Sequence, residues 1–355
     1  VREMLQQGKV AIELFAGGTS ERLGHGPMYL VNFWELAKEQ DYDVPADALN
    51  RHLTLGQWQL LQLAGTVEAL GGPEAVEQLQ VILHLNTSLE ADVRNDLIAH
   101  GFYGFNPEHV MLVVDPPAQP GYLIGDHGEL PLDPTSQAFS LGHGYATMLL
   151  ARPSVGVTID AENTSQRLTE SVLERLLNRG VELLVTNRVN DLTRLTDRVV
   201  DLEMLARRLW LMETTKGANM TFEVVENPTD QPGGWAVHLA STDEVVSQIV
   251  DDQLNMKTEA LTARLEALVE QAHNHTYSAF KLTYRLTELP GLLEKGLPLM
   301  ARVYDGRLYP SFGTSDITRV DGAKAIAIAR RGEELHDFKA LLDLGTFILH
   351  FLARS

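Results

Sequence analysis

The sequence predicts an α/β fold: a mixed, mainly parallel Rossmann-like sheet with helices on both faces. The first observation is a set of short, continuous apolar runs, typical of strands buried on both faces, at residues 10–16, 81–85, 110–114 and 181–185. The second is helical apolar spacing between them, as at residues 54–70 and 89–100. Buried strands that alternate with helices favour parallel pairing, because the crossover helices cover the faces of the sheet.

The composition limits the classes of function. With 355 residues, of which 44% are hydrophobic, the chain can bury a large core, and we divide it into a core of residues 1–300 and a small C-terminal segment, 301–355, packing on that core. A formal net charge of -19 disfavours nucleic-acid and anionic membrane partners. A small phosphorylated ligand would need a local positive cluster and a divalent cation.

The cysteine count and the N-terminus bear on the compartment. Zero cysteine excludes disulfides, thiolate catalysis and zinc sites built on sulfur, and it fits a reducing compartment. Residues 1–8 lack the apolar core of a signal peptide, and no apolar run approaches membrane-spanning length. We therefore expect a cytoplasmic protein.

The first apolar run stops at two glycines, Gly17 and Gly18. Glycines let backbone N–H groups approach a ligand closely, and Arg22 adds a planar cation suited to phosphate. The alternative interpretation is a plain strand-to-helix turn with a solvated arginine. After this turn we expect a polar, loop-like segment through Pro45.

Polar residues stand at the ends of the other apolar runs. Asn86 follows the second run and Asp115 the third, and Asp191 lies in the polar segment after the fourth. In open α/β sheets ligands bind outside the carboxyl ends of the strands. Asp191 is a candidate magnesium ligand, and the alternative is a capping residue for the next helix.

A histidine between two glycines opens a later apolar helix, at Gly142, His143 and Gly144. Two interpretations stay open for His143. It is either a hydrogen-bond donor beside an anion or a sugar, or a solvated imidazole at a helix N-terminus.

The ordered motifs resemble those of the UDP-sugar pyrophosphorylase family, which includes UTP-glucose-1-phosphate uridylyltransferases. Residues 16–24 are similar to its nucleotide loop, in the version with Glu before Arg. The other matching segments, in chain order, are residues 55–57, 85–88, 101–105, 130–134 with 142–144, 180–191, 230–234 and 338–344. The resemblance implies the nucleotide-diphosphate-sugar transferase type of sheet, and a reaction of UTP with a sugar 1-phosphate that gives a UDP-sugar and pyrophosphate.

The resemblance also implies roles for single residues. Arg22 and Lys339 would face the triphosphate, and Asp191, or its neighbour Asn190, would hold Mg²⁺. His143 and Gly233 would lie at the sugar phosphate. The nucleotide would contact Ala16, Gly17, Gly18, Thr19, Asn86 and Gly142. UTP and a sugar 1-phosphate are thus the expected partners, and the sequence sets no oligomeric state.

Three departures from the family pattern fall where charge is needed. Met28 and Pro232 stand where the family carries lysines, and Asn190 and Asp191 look transposed. One hypothesis is an active uridylyltransferase whose cations come from elsewhere, such as Arg188, Lys216 or Arg330. The other is a catalytically weak or inactive relative that binds a nucleotide or sugar phosphate, or acts as a scaffold. A third is a transferase that uses a nucleotide sugar.

Overall fold

A computed structural model describes most of the chain, namely residues 1–18, 25–42, 52–125, 127, 129–189, 191–193, 202–226, 234–239, 246–251, 276–329 and 335–337. Its α-helices are α1 (Arg2–Gln6), α2 (Phe33–Glu39), α3 (Leu55–Gly71), α4 (Pro73–Gln78), α5 (Glu90–Ala99), α6 (His143–Leu149), α7 (Val172–Asn178), α8 (Leu202–Thr214) and α9 (Leu289–Glu294). Short 3-10 helices lie at Met28–Leu30, Gly101–Gly104, Pro107–His109 and Thr314–Arg319. No helix in these ranges is long and apolar enough to cross a membrane.

The described strands form one large sheet and three small ones. They are β1 (Val10–Phe15), β2 (Gln80–Leu85), β3 (Val110–Val114), β4 (Gln119–Pro120), β5 (Tyr122–Leu123), β6 (Ala138–Phe139), β7 (Gly156–Ile159), β8 (Ser165–Arg167), β9 (Leu183–Arg188), β10 (Asp191–Thr193), β11 (Met220–Glu226), β12 (Gly234–Leu239), β13 (Val246–Asp251), β14 (Thr276–Arg285), β15 (Met300–Tyr304), β16 (Arg307–Ser311), β17 (Ala325–Ala329) and β18 (Leu335–Asp337). The large sheet has the order β13-β12-β14-β9-β1-β2-β3-β7-β8, and β11 pairs with β14 and β17.

The centre of the large sheet is parallel, because β1 pairs in parallel with both β9 and β2, and β2 with β3. Antiparallel strands flank it on both sides. Successive residues of β1 pack into two hydrophobic clusters: Ile12 and Leu14 join one with α3 and α5, and Ala11 joins the other with α7 and α9. Helices therefore cover both faces, and this confirms the predicted α/β class with a mixed sheet.

One helix lies where a loop was expected. Residues 33–39 form α2, whose first turn is capped by the side chain of Asn32, which accepts hydrogen bonds from the backbone N–H groups of Trp34 and Glu35. The expectation of a loop through Pro45 was wrong for this segment, because Phe33, Trp34, Leu36 and Ala37 are buried in the core.

The fourth strand also extends beyond its apolar run. It was expected at residues 181–185, with a polar end beginning at Thr186, but β9 continues to Arg188. Thr186 is fully buried, and its hydroxyl accepts a hydrogen bond from the backbone N–H of Leu282 (3.2 Å) and donates to the Leu282 carbonyl (3.4 Å). Pairing with β14 thus satisfies a polar residue inside the sheet.

Segments near the C-terminus join the sheets of the core. Strand β17 pairs in parallel with β11 in the large sheet, and β18 pairs with β10. Strands β15 and β16 form a small antiparallel sheet with β5. The segment after β3 and the segment after α9 thus build one lobe beside the carboxyl ends of the parallel strands.

Candidate functional site

The glycine turn lies at the carboxyl end of β1 and is tied to the end of β2. The backbone N–H of Ala16 donates to the His84 carbonyl (2.9 Å), and the Asn86 side-chain Nδ2 donates to the Gly17 carbonyl (2.9 Å). A Cβ atom on Gly17 would lie 2.9 Å from the backbone nitrogen of Asn86. Position 17 is therefore occupied by glycine because the two strand ends approach so closely.

Asn86 fixes this turn through both ends of its amide. Besides holding Gly17, its Oδ1 accepts hydrogen bonds from the Leu89 backbone N–H (3.0 Å) and the Ser88 hydroxyl (2.7 Å). These hydrogen bonds fix the residues that precede α5. Asn86 therefore holds the glycine backbone in place relative to the start of that helix.

The other side of the turn is closed by Met28. Its backbone N–H donates to the Gly18 carbonyl (2.9 Å), and its side chain is buried in the core cluster beneath α3. Met28 thus lies beside the glycine turn. The position supplies no side chain to a ligand in this arrangement.

His143 reaches the same end of the sheet from α6. Gly142, with φ +87°, precedes it in a conformation that favours glycine, and a Cβ atom there would lie 2.5 Å from the Phe312 carbonyl oxygen. The exposed ring of His143 contacts the Phe15 ring edge-on, with 5.1 Å between centroids. The structure therefore brings together six sequence-predicted site residues: Ala16, Gly17, Gly18, Asn86, Gly142 and His143.

A buried ionisable cluster lies below this turn and was missed in the sequence. His84 Nε2 donates to Glu13 Oε1 (2.8 Å), and His84 Nδ1 lies 3.9 Å from Asp115 Oδ1. Glu13 and His84 are 0% and 1% exposed, and the His84 ring stacks on Phe15 at 4.9 Å. The sequence did contain a signal for this cluster, namely a glutamate and a histidine that each stand inside an apolar run. Within the described chain Glu13 Oε2, His84 Nδ1 and Asp115 Oδ1 have no hydrogen-bond partner.

Burial raises the pKa of two groups at this cluster, Asp115 and the neighbouring Tyr284. It raises the pKa of the Asp115 carboxyl above its usual range, and the nearby Glu13 carboxylate adds to the rise while His84 opposes it. Burial also raises the pKa of the Tyr284 hydroxyl well above its ordinary value, with Glu13 contributing. The floor of the site thus holds two carboxyl groups around one imidazole.

The candidate metal residue lies in β10, just after β9. Backbone pairing places Asp191 opposite Asp337 of β18. Aspartate oxygens are among the ligands that Mg²⁺ prefers, and the two residues share one rung of this small sheet. In the described ranges no group of three or more His, Asp or Glu side chains is arranged to hold a metal ion.

Several predicted residues lie outside the described residues. They are Thr19, Arg22, Asn190, Pro232, Gly233, Arg330 and Lys339. Of the alternative cations, Arg188 lies in β9 directly beside Phe15 of β1. Lys216 precedes β11, which runs in the same direction as β1, so it lies at the opposite edge of the sheet from the glycine turn.

Comparisons with known proteins assign the class of fold. No protein-family model matches the chain, and no curated protein matches it. Solved structures do match, and they show the fold of nucleotidyltransferase-type pyrophosphorylases, a mixed α/β architecture.

Two of these structures illustrate the likeness. The uridine diphosphate N-acetylglucosamine pyrophosphorylase from Trypanosoma brucei aligns over 98% of this chain and 66% of its own, with a TM-score of 0.63 and 14% identity. A mutant UDP-glucose pyrophosphorylase from Leishmania major, solved with UDP-glucose, aligns over 97% of this chain and 66% of its own, with a TM-score of 0.63 and 16% identity. The chain thus spans just under two thirds of the length of either protein.

Proposed function

We propose that this chain binds UTP and a sugar 1-phosphate and transfers the uridylyl group, giving a UDP-sugar and pyrophosphate. One observation carries the proposal. The glycine turn and His143 meet at the carboxyl edge of parallel strands, against Phe15, in a fold shared with UDP-sugar pyrophosphorylases. This edge is where open α/β sheets bind ligands.

Uridylyl transfer requires that the two substrates are positioned and that the charge of their phosphates is neutralised. A phosphate oxygen of the sugar 1-phosphate attacks the α-phosphorus of UTP in line, and the bond to the β-phosphate oxygen breaks, so that the electron pair leaves with pyrophosphate. No side chain forms a covalent bond. In this proposal the backbone at Gly17 and Gly18 receives the uracil, His143 donates to the sugar phosphate, and Arg22 and Lys339 neutralise the triphosphate.

The positions of the cationic residues in the sheet indicate which of them could contact the phosphates. Met28, in place of a family lysine, buries its side chain, and Lys216 is at the wrong edge of the sheet. Arg188, beside Phe15, is the alternative cation whose place in the sheet suits the proposal. We therefore add Arg188 to Arg22 and Lys339 as a phosphate contact.

Magnesium is the proposed cofactor, held by Asp191 with Asp337 opposite it. When bound there, the ion would neutralise charge on the phosphates. This matters for a chain with a net charge of -19, because the protein as a whole repels a triphosphate. The segment that leads to Lys339 in the sequence is β18, which pairs with the Asp191 strand.

Calorimetric titration with UTP and Mg²⁺ tests the site. We expect binding to the wild-type chain and unchanged affinity in His127→Ala, an exposed histidine of the 121–132 segment. Arg22→Ala should weaken UTP binding about tenfold or more, because it removes a charged phosphate contact. Absence of UTP binding, or an Arg22→Ala variant with wild-type affinity, would reject the proposed site.

A further inference from the structure

A polar cavity of about 490 Å³ lies in the lobe built from β5, β15 and β16. We call it the Arg307 groove, and its lining includes Thr135, Ser136, Gln137, Tyr304, Arg307 and Tyr309. Strand β16 begins at Arg307 and leads to Phe312, whose carbonyl accepts the backbone N–H of Gly144 (2.9 Å). The groove is thus separated from the Gly142 turn by roughly 17 Å of strand, at about 3.4 Å per residue.

The charges of the groove disfavour an anionic ligand. Arg307 Nε donates to Asp133 Oδ2 (2.7 Å), and its Nη1 donates to Asp305 Oδ2 (3.1 Å). Hydrogen bonds from Thr135 and from Arg307 lower the pKa of the Asp133 carboxyl to about 2, so this group is ionised near neutral pH. One guanidinium faces two carboxylates, and a phosphate or a carboxylate ligand would meet a net negative charge.

An aromatic ring is held open to solvent at the rim. Tyr304 is 54% exposed, yet its ring is fixed by an edge-to-face contact with Phe139, with centroids 5.4 Å apart at 76°. Phe139 also meets Tyr309 at 4.8 Å and 85°. Tyr309 in turn packs on Gly121, where a Cβ atom would lie 2.5 Å from its ring. The platform is therefore preorganised, which lowers the entropic cost of stacking a ligand ring on it.

The polar groups around this platform both donate and accept hydrogen bonds. The Ser136 hydroxyl accepts from the Gly121 backbone N–H (2.7 Å) and donates to the Asp133 carbonyl (2.8 Å), which fixes the loop that carries Thr135 and Gln137. In the described chain Arg307 Nη2 has no hydrogen-bond partner. Hydroxyl, amide and guanidinium groups beside an aromatic ring match a molecule with hydroxyls at its edge and C–H groups on its face.

We propose that the Arg307 groove binds an uncharged saccharide ring, stacked on Tyr304 with its hydroxyls bonded to Arg307 and Gln137. This site goes beyond the proposed transfer reaction, because it lies apart from the glycine turn and rejects the phosphate that a sugar 1-phosphate carries. Its ligand is a neutral sugar or the remote, uncharged unit of a longer saccharide.

Saturation-transfer NMR on the full chain tests this site with methyl α-D-glucopyranoside, N-acetyl-D-glucosamine and maltotriose as probes. We expect transfer from at least one sugar, with an affinity about tenfold weaker in Tyr304→Ala and weakened also in Gln137→Ala, because a stacking surface and a polar contact are lost. The matched control is Tyr42→Ala, since Tyr42 is 41% exposed and follows α2. This control should bind as the wild type does.

The outcomes separate this site from the nucleotide site. Inorganic phosphate should not displace the sugar, and Tyr304→Ala should leave the calorimetric affinity for UTP unchanged. No transfer from any of the three sugars, transfer that Tyr304→Ala leaves unaltered, or displacement by phosphate would overturn the proposal. A chain that binds a sugar in the groove but no UTP would keep this inference and reject the proposed function.

Discussion

Gly17 and Gly18 are adjacent, but their surroundings differ. A Cβ atom on Gly17 would lie 2.9 Å from the Asn86 nitrogen and 3.1 Å from the Leu85 carbonyl carbon, both backbone atoms that cannot move aside cheaply. A Cβ atom on Gly18 would meet no described atom within 4 Å. The contact between strand ends, and not the sequence pattern, tells which glycine is obligatory for packing.

We therefore expect Gly17→Ala to lower the free energy of unfolding by about 1–3 kcal/mol, the usual cost of overpacking. The matched variant Gly18→Ala should change it by less than about 0.5 kcal/mol. Urea denaturation of both variants measures the difference. Equal stabilities would show that the two strand ends do not approach as described.

Asp115 gives the buried cluster a dependence on pH. The pKa of the Asp115 carboxyl is raised in the folded chain. Between the ordinary carboxyl pKa and the raised one, the folded chain therefore keeps a proton that the unfolded chain has released. As a result, the free energy of unfolding falls as the pH rises through that interval. Asp115→Asn should remove this fall. Its stability relative to the wild type should therefore increase with pH, as measured by urea denaturation between pH 4 and pH 8.

Asp160 provides a control of opposite sign. Hydrogen bonds from Gln166 and from the Thr164 backbone lower its pKa, so its stabilising effect is present above the ordinary carboxyl pKa and is lost as the pH falls. Asp160→Asn should thus cost most at neutral pH. A difference between Asp115→Asn and the wild type that stays constant with pH would contradict the account of the cluster.

Helix α3 shows the same contrast at the scale of an element. It begins at a capping box, in which the Thr54 hydroxyl accepts from the Gln57 N–H and Gln57 Oε1 accepts from the Thr54 N–H. A Cβ atom on Gly56 would lie 2.2 Å from the ring of Tyr29, which is buried and hydrogen-bonded through its hydroxyl to Asp96. Gly56 therefore permits the helix to pack on Tyr29.

Two glycine variants of α3 test this packing. Gly65→Ala, at an exposed position with open space around it, should stabilise the chain by about 0.5–1 kcal/mol through helix propensity. Gly56→Ala gains the same propensity but should destabilise by about 1–3 kcal/mol, because the Tyr29 ring must move. Thermal or urea denaturation measures the change in the free energy of unfolding for both variants. A Gly56→Ala variant more stable than the wild type would show that the helix does not pack on Tyr29.

Elements with a strong local signal were predictable. The run at residues 110–114 is β3 as predicted, and the helix expected at residues 54–70 is α3 to within one residue at either end. The α2 helix was not found, because its seven residues are too few to show a clear helical period. The end of β9 was misplaced because its polar residues are satisfied by β14, about a hundred residues later in the chain.

For the candidate site, too, features with a local signal were predictable and features that depend on long-range contacts were not. Gly17, Asn86 and Gly142 stand at turns that glycine or a polar residue beside an apolar run marks locally, so the sequence pointed to these positions. The contact of His84 with Glu13 depends on the parallel register of β1 and β2, and the Arg307 groove depends on pairing of β16 with β5. Local periodicity does not specify these long-range registers. The buried cluster and the groove were therefore found only in the structure.

At the scale of the whole molecule, a net charge of -19 and a nucleotide site are compatible only if cations are concentrated locally. The parallel strands make this possible, because their carboxyl ends bring the glycine turn and Arg188 to one edge while the acidic lobe around Asp133 and Asp305 lies along β16. Under the proposed function, the fold thus separates the edge that would bind phosphate from a region whose carboxylates would repel it.

Turnover is the most direct test of the central claim. Purified chain, UTP and Mg²⁺ are incubated with glucose 1-phosphate or N-acetylglucosamine 1-phosphate, and pyrophosphate and UDP-sugar are quantified by ³¹P NMR. The account predicts equal amounts of pyrophosphate and UDP-sugar with at least one acceptor, and a rate about a hundredfold lower in His143→Ala. UTP binding without release of pyrophosphate from UTP in the presence of either sugar 1-phosphate would contradict it and would favour a relative that binds nucleotide without turnover.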